Sequence, residues 1–163
     1  MVSLWTLALL GWFSVGGVQW GLRAHVPLAG YDLLFGYGAF TALYASPMGL
    51  GIQPGVALQL DAFSGEDRYR VDLWALGPMI HVPVAQAALE MGIGGGQLGR
   101  RMGQGQERGV IWNLWGRVTY PLFRWTGAET ALGVGYQGIP GKTRWFQTLS
   151  LEWTLRWHPS TGL

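Results

Sequence analysis

The sequence predicts an all-β fold, a single eight-stranded antiparallel up-and-down transmembrane β-barrel. Three observations lead there. First, the segment Thr148–Trp157 sets Leu149, Leu151, Trp153, Leu155 and Trp157 against Thr148, Ser150, Glu152, Thr154 and Arg156. Strand side chains point to opposite faces with a period of two, so one face is wholly apolar and the other carries charges and hydroxyls. Second, charged residues are only 12% of the chain against 49% hydrophobic residues, too little charge to cover a water-facing globule. Third, the 27 Gly argue against helices, where each costs roughly 1 kcal/mol relative to Ala.

In chain order, residues 1–17 form a signal-like or anchor segment. Leu4 to Phe13 is an uncharged apolar run followed by Ser14-Val15-Gly16-Gly17, the shape of a secretory signal with Val15 and Gly17 near the cleavage point. A basic start is missing, so a membrane anchor or an extra strand are the other readings. The barrel is expected over residues 18–157, with a tail over 158–163. Strand one sets Val18, Trp20, Leu22, Ala24 and Val26 against Gln19, Gly21, Arg23 and His25. Pro27 to Gly30 then turns the chain into a second strand near Tyr31 to Tyr44. Strand three opposes Val56, Leu58 and Leu60 to Ala57, Gln59 and Asp61. Strand four opens with Val71 and Leu73 against Arg70 and Asp72 and turns uniformly apolar towards Val82. Strand five opposes Leu89, Met91 and Ile93 to Glu90, Gly92 and Gly94. A long polar loop is expected from Gly99 to Gly109. Strand six places Asn113, Trp115, Arg117 and Thr119 on one face. Strand seven opposes Leu132, Val134 and Tyr136 to Glu129, Ala131, Gly133, Gly135 and Gln137.

The faces decide which solvent lies where. Strands of about ten residues cross a bilayer when tilted. The charges Arg23, Asp61, Arg70, Asp72, Glu90, Arg117, Glu129, Glu152 and Arg156 are expected on the face opposite the aliphatic side chains. Four are basic and five acidic. A narrow barrel has a lumen filled by side chains, where charge is tolerable only when paired, so the nine are read as a luminal charge network. Gly21, Gly92, Gly94, Gly133 and Gly135 share that face and leave room for long side chains. Trp20, Trp112, Trp125, Trp145, Trp153 and Trp157 fall mostly near strand ends, where aromatic girdles meet the lipid–water boundary.

This pattern resembles the small outer-membrane β-barrels, the OmpX-like and OmpA transmembrane families, over about residues 18 to 157. The resemblance implies integration into a bacterial outer membrane, contact with membrane lipid, and insertion by the barrel-assembly machinery, which in such families reads an aromatic-ended last strand like Leu151 to Trp157. The chain departs from the pattern in its six residues after Trp157, its short outer loops and its basic balance.

Two other architectures compete. A helical membrane protein could use Leu4 to Leu22 and Leu33 to Leu60, but the second run holds Pro47 and Pro54 with several Gly. A soluble barrel would need more charge on its outer face. Absence of Cys excludes disulfides and thiolate metal sites. A net charge of +2, spread along the chain, gives no nucleic-acid footprint. The three His residues form no metal-binding spacing, and no cofactor is expected.

The leading functional expectation is a non-enzymatic barrel with a structural role, or one docking a protein partner or lipopolysaccharide. A lipid-modifying enzyme and a narrow pore are the alternatives. For the enzyme, His158-x-Ser160 is similar to an element of the lipid A deacylases, but it lies beyond the last strand. Ser150 and Glu152 could form a triad with His25, because strands one and eight must meet in a closed barrel. For docking, the loops near 27–30, 64–68, 99–109 and 139–143 share one end of the barrel. Arg100, Arg101, Arg108, Lys142 and Arg144 are expected there as one basic outer rim suited to phosphate.

Overall fold

The structure, a computed structural model, describes residues 15–29, 33–46, 51–65, 70–140 and 145–158. The apolar run before Val15, Lys142, Arg144 and the tail after His158 lie outside the described residues. Eight antiparallel strands form one closed ring in sequence order: β1 (Val15–Ala29), β2 (Leu33–Ala45), β3 (Gln53–Gly65), β4 (Arg70–Val84), β5 (Ala87–Met102), β6 (Gly105–Trp125), β7 (Ala128–Pro140) and β8 (Trp145–Trp157). β1 closes on β8 along an almost unbroken ladder from Val18↔Trp157 to Pro27↔Thr148.

Register fixes the tilt. Paired residues run once around the ring from Gly17 through Tyr44, Gly55, Met79, Gly92, Trp115, Gln137 and Thr148 to Pro27. The circuit returns ten positions further along β1 than it began, Gly17 to Pro27. That stagger over eight strands requires a tilt of about 40° from the barrel axis. An even offset also keeps inward residues inward all the way round.

The exterior is apolar and the interior polar. Leu22, Leu151 and Val134 are 59%, 63% and 58% exposed, while Gln19, Gln59, Asn113, Thr148 and Thr154 are buried. Water would penalise that outer surface, and lipid removes the penalty. The aromatic residues named from the sequence (Trp20, Trp112, Trp125, Trp145, Trp153 and Trp157) all lie on this exterior. Trp115 instead points inward and is buried.

The interior is layered. At the end away from the chain termini, Phe63, Val71, Leu73, Leu98, Ile139 and Phe146 form an apolar plug, with the Phe63 and Phe146 rings edge-to-face at 5.1 Å. A polar layer follows, and Ala42, Tyr44, Ala57, Met79 and Trp115 pack towards the terminal end.

Two local expectations change. The span from Gly99 to Gly109 is a regular hairpin rather than a loop, with β5 and β6 paired without interruption to Met102↔Gly105. Each strand supplies the other's backbone partners, so polar side chains do not prevent the strands from continuing. The reversal is made at Gly103 and Gln104, where Gly103 adopts φ 56°, a conformation costly for any residue with a Cβ. Pro27 likewise does not end β1. The strand runs to Ala29, and the register shift between Pro27 and Ala29 absorbs the missing donor.

Candidate functional site

The lumen holds two linked ion clusters. In the first, Arg23 from β1 forms a fork with Asp61 from β3, Nη2 to Oδ2 at 2.6 Å and Nε to Oδ1 at 2.7 Å. His25 Nε2 lies 3.0 Å from Asp61 Oδ1, and Gln137 donates to Oδ2 at 3.3 Å. Gly38 makes this possible, because a Cβ there would strike both the Asp61 carboxylate and the Arg23 side chain.

The second cluster centres on Glu90 of β5. Its carboxylate accepts from Arg117 of β6 and Arg156 of β8, and from the Tyr44 hydroxyl at 2.9 Å. His81 Nδ1 lies 2.9 Å from Glu90 Oε1. Arg117 also donates from Nη1 to Glu152 Oε2 at 3.1 Å, and Ser150 donates to Glu152 Oε1 at 2.7 Å. Gln19 accepts from Arg156 at 3.1 Å. Phe40 joins the clusters: the Arg117 guanidinium sits 3.6 Å from its ring centroid and the Arg23 guanidinium 5.9 Å. The negative face of the ring offsets cationic charge where no carboxylate reaches.

Of the nine residues expected in the luminal network, Arg23, Asp61, Glu90, Arg117, Glu152 and Arg156 occupy the buried interior. Three guanidiniums meet three carboxylates there. Arg70 and Asp72 require correction. Both point outward, paired with each other at 3.1 Å with side chains 49% and 44% exposed. The inward file of β4 is Val71, Leu73, Ala75, Met79 and His81. Arg70 and Asp72 stand at the end of β4 beyond the apolar band, where a charge can face outward without meeting lipid tails. Glu129 also lies outside the two clusters. It pairs with the exposed Arg124 at 2.6 Å near the terminal end, its own side chain 18% exposed.

The glycines expected to make room for charges mostly serve other neighbours. A Cβ at Gly21 would meet Phe40, one at Gly92 would meet Trp115 and one at Gly94 would meet Asn113. Only Gly135, beside Glu152 and Ser150, clears an ion pair. His81 was not expected in the interior at all. The signal lay in β4, where Trp74, Leu76, Ile80 and Val82 alternate with Ala75, Met79 and His81.

The Ser150–His25–Glu152 triad does not assemble. Ser150 and His25 are register partners across β8 and β1, yet the ring nitrogens of His25 contact Asp61 and Thr148. Ser150 donates to Glu152, whose other oxygen is bound by Arg117. Of the other element considered for catalysis, Ser160 lies outside the described residues.

The expected rim divides. Arg101 pairs in register with Arg70 and Gln106, and Arg108 with Gly99 and hence Asp72, all on the outward face. Arg100 is opposite Val71 and Glu107, on the inward face. Beneath Arg101 and Arg108 lies a recess of about 330 Å³ lined also by Leu60, Trp74, Gln97 and Asp72. A second recess of about 360 Å³ adjoins it at Leu60 and Leu73 and reaches Leu22, Tyr37 and Arg70. Arg70 donates to the Tyr37 hydroxyl at 3.5 Å.

An apolar exterior, a closed ring and an interior filled by paired charges define a transmembrane β-barrel with a packed lumen. Its fold is that of the small eight-stranded outer-membrane barrels. Neisserial surface protein A is similar at TM-score 0.65 and 8% identity, over 88% of this chain and 96% of that one. The N-terminal barrel domain of Pseudomonas aeruginosa OprF is similar at TM-score 0.53 and 10% identity, over 88% and 100%. Ail, the attachment invasion locus protein of Yersinia pestis, is similar at TM-score 0.56 and 10% identity, over 89% and 99%. No protein-family model and no curated protein sequence matches the chain.

Proposed function

We propose that this chain is a non-enzymatic integral protein of a bacterial outer membrane, with a sealed lumen and a structural or docking role at the outer surface. The observation that carries this reading is the cross-linked interior. Glu90 ties β5 to β6 and β8, Asp61 ties β3 to β1, and an apolar plug covers the end above them. A solute would have to break buried ion pairs to pass. Purified protein in planar bilayers should give no stepwise conductance. Regular conductance steps would refute the sealed lumen and favour a pore, and acyl release from purified lipopolysaccharide would favour the enzyme.

Docking is assigned to the end bearing the β5–β6 hairpin, taken as extracellular because the chain termini of such barrels face the periplasm. Arg101 and Arg108, with Arg70 beside Arg101, share a recess with Trp74 and Leu60, a cationic group next to an apolar surface as a lipid headgroup would require. Guanidinium groups bind phosphate through paired, charge-assisted hydrogen bonds, which suits lipopolysaccharide. Replacing Arg101 and Arg108 with Gln should weaken binding to anionic headgroups, most at low salt where screening is least. Arg100→Gln should leave it unchanged, since that side chain is on the other face. Equal behaviour of the two variants across a salt titration would remove the rim from the proposal.

A further inference from the structure

Arg156, at the terminal end of the lumen, has two histidines for neighbours. It is the register partner of Gln19 on β1 and of Glu129 on β7, so it sits where β8 closes the ring. Among the described residues its one carboxylate partner is Glu90, and Gln19 accepts from it at 3.1 Å. Glu129 is held instead by Arg124 at 2.6 Å. His81 of β4 places Nε2 3.1 Å from Arg156 Nη1 and Nδ1 2.8 Å from Nη2, with Nδ1 also 2.9 Å from Glu90 Oε1. Tyr44 of β2 meets the His81 ring edge-on at 5.6 Å, Gln53 of β3 is its register partner, and Arg117 of β6 reaches it through Glu90. His158, immediately after β8, fastens three segments. Its backbone N–H donates to Gly127 O in the β6–β7 turn at 2.8 Å, and its ring bonds to the backbone of Gly16 at the start of β1.

A neutral imidazole has one nitrogen that donates and one that accepts. Whichever tautomer His81 adopts, its accepting nitrogen lies against an N–H of Arg156. A protonated ring has no acceptor left, so its N–H groups then meet those of a second cation. His158 meets the same difficulty in milder form. Burial, and then the charge of Arg156, hold its imidazole below the usual histidine range, with Glu129 and His81 the other titratable groups around it. The unfolded chain takes up that proton near the ordinary value of about 6.5, before the folded chain does. The stability lent by the neutral ring is therefore present above that pH and lost as pH falls from there through the folded value. His25, the third histidine, is built differently. Its Nε2 faces Asp61 Oδ1 at 3.0 Å and its Nδ1 faces Thr148 Oγ1 at 3.2 Å, and both oxygens accept. A protonated His25 keeps both partners.

We propose that His81 and His158 make the terminal end of the β8 seam acid-sensitive. Protonation sets them against Arg156 and opens the last rungs, Val18↔Trp157 and Ala128↔Trp157, together with the His158–Gly127 bond, while the ring above stays closed. The confinement follows from the layers of the lumen. The Arg23–Asp61 fork tolerates a protonated His25 beside it, and the apolar plug at the far end carries no titratable group. With the termini facing the periplasm, the seam responds to periplasmic acidity and the lumen remains sealed above it. This goes beyond the docking reading and does not depend on it.

The test compares amide protection of the full chain in zwitterionic lipid nanodiscs at about pH 7.5 and about pH 5, either side of the ordinary histidine value. After correction for the intrinsic pH dependence of exchange, residues 156–158 should lose at least about tenfold in protection relative to residues 148–152 of the same strand. Imidazole nitrogen shifts should show His81 and His158 gaining protons over the same interval. Gln keeps a donor and an acceptor but does not titrate, so His81→Gln combined with His158→Gln should abolish the loss. Heat-modifiable gel migration checks that the variant is folded. Should the pair not fold, His158→Gln alone, placed beyond the last strand, should still reduce the loss. Unchanged protection in the parent chain, a loss spread evenly through all eight strands, or an undiminished loss in the folded variant would overturn the proposal.

Discussion

Glu90 carries the greatest electrostatic demand of any residue in the lumen. It is fully buried and accepts from two guanidiniums and the Tyr44 hydroxyl. Replacing it with Ala would leave Arg117 with Glu152 and Arg156 with His81 and Gln19. Removing one partner of a buried ion pair typically costs about 3–5 kcal/mol, because the uncompensated charge stays behind. Glu90→Ala should therefore lower stability by about that amount in reversible urea unfolding from lipid vesicles. Asp72→Ala should cost at most about 1 kcal/mol, as expected for an exposed pair. Similar losses for the two would mean that burial does not set the value of these charges. Phe40 makes a subtler case, since its ring faces two guanidiniums. Phe40→Leu keeps much of the volume and loses the quadrupole, so a cost of about 1–2 kcal/mol beyond packing is expected in the same assay.

Among the elements, β8 and the β5–β6 hairpin answer different questions. In β8 the even-numbered residues from Phe146 to Arg156 are buried and the odd-numbered ones face outward. Leu155→Arg should destabilise by about 2–4 kcal/mol if it lies near the membrane midplane, less near an interface, while Thr154→Ser should have little effect. Equal small effects would contradict the assignment of faces. The hairpin depends on its turn. Gly103 adopts φ 56°, and a β-branched residue there would cost roughly 1–2 kcal/mol. Gly103→Val should fray the tip, read as faster amide exchange for residues 99–109, with the exchange of β1 and β8 unchanged. Fraying that spreads to those strands would show that the hairpin and the barrel are one cooperative unit.

At the level of the whole molecule, closure and inversion act together. A ring has no free edge inside the bilayer, so every backbone group there is paired, the condition hydrocarbon imposes. The β5–β6 hairpin rises past the last paired rung of β6 with β7, Leu114↔Gly138. The exterior apolar surface needs lipid and the interior needs mutual neutralisation, so the barrel should resist heat in detergent and migrate faster when folded than after boiling. Circular dichroism of the folded form should show β-structure throughout. A helical spectrum or heat-independent migration would be incompatible with this architecture.

The chain's own alternation determined the number of strands, their order and the identity of the inward file in six of the eight, β2 having been assigned no faces. Period-two patterning is local, set by the direction of each Cβ, and so it survives without knowledge of neighbours. It failed in β4, where Arg70 and Asp72 were drawn inward by their charge. Only tertiary structure fixes how far a residue lies along the barrel axis, and beyond the apolar band a charge can face outward. Tertiary structure also decided the partners. Arg117 and Arg156 reach Glu90 across 27 and 66 residues of sequence, a match set by register and by the stagger at which the ring closes. The same register, accumulated from strand to strand, carries the β5–β6 hairpin past the last β6–β7 rung at Leu114↔Gly138, because hairpin height depends on where adjacent strands stop.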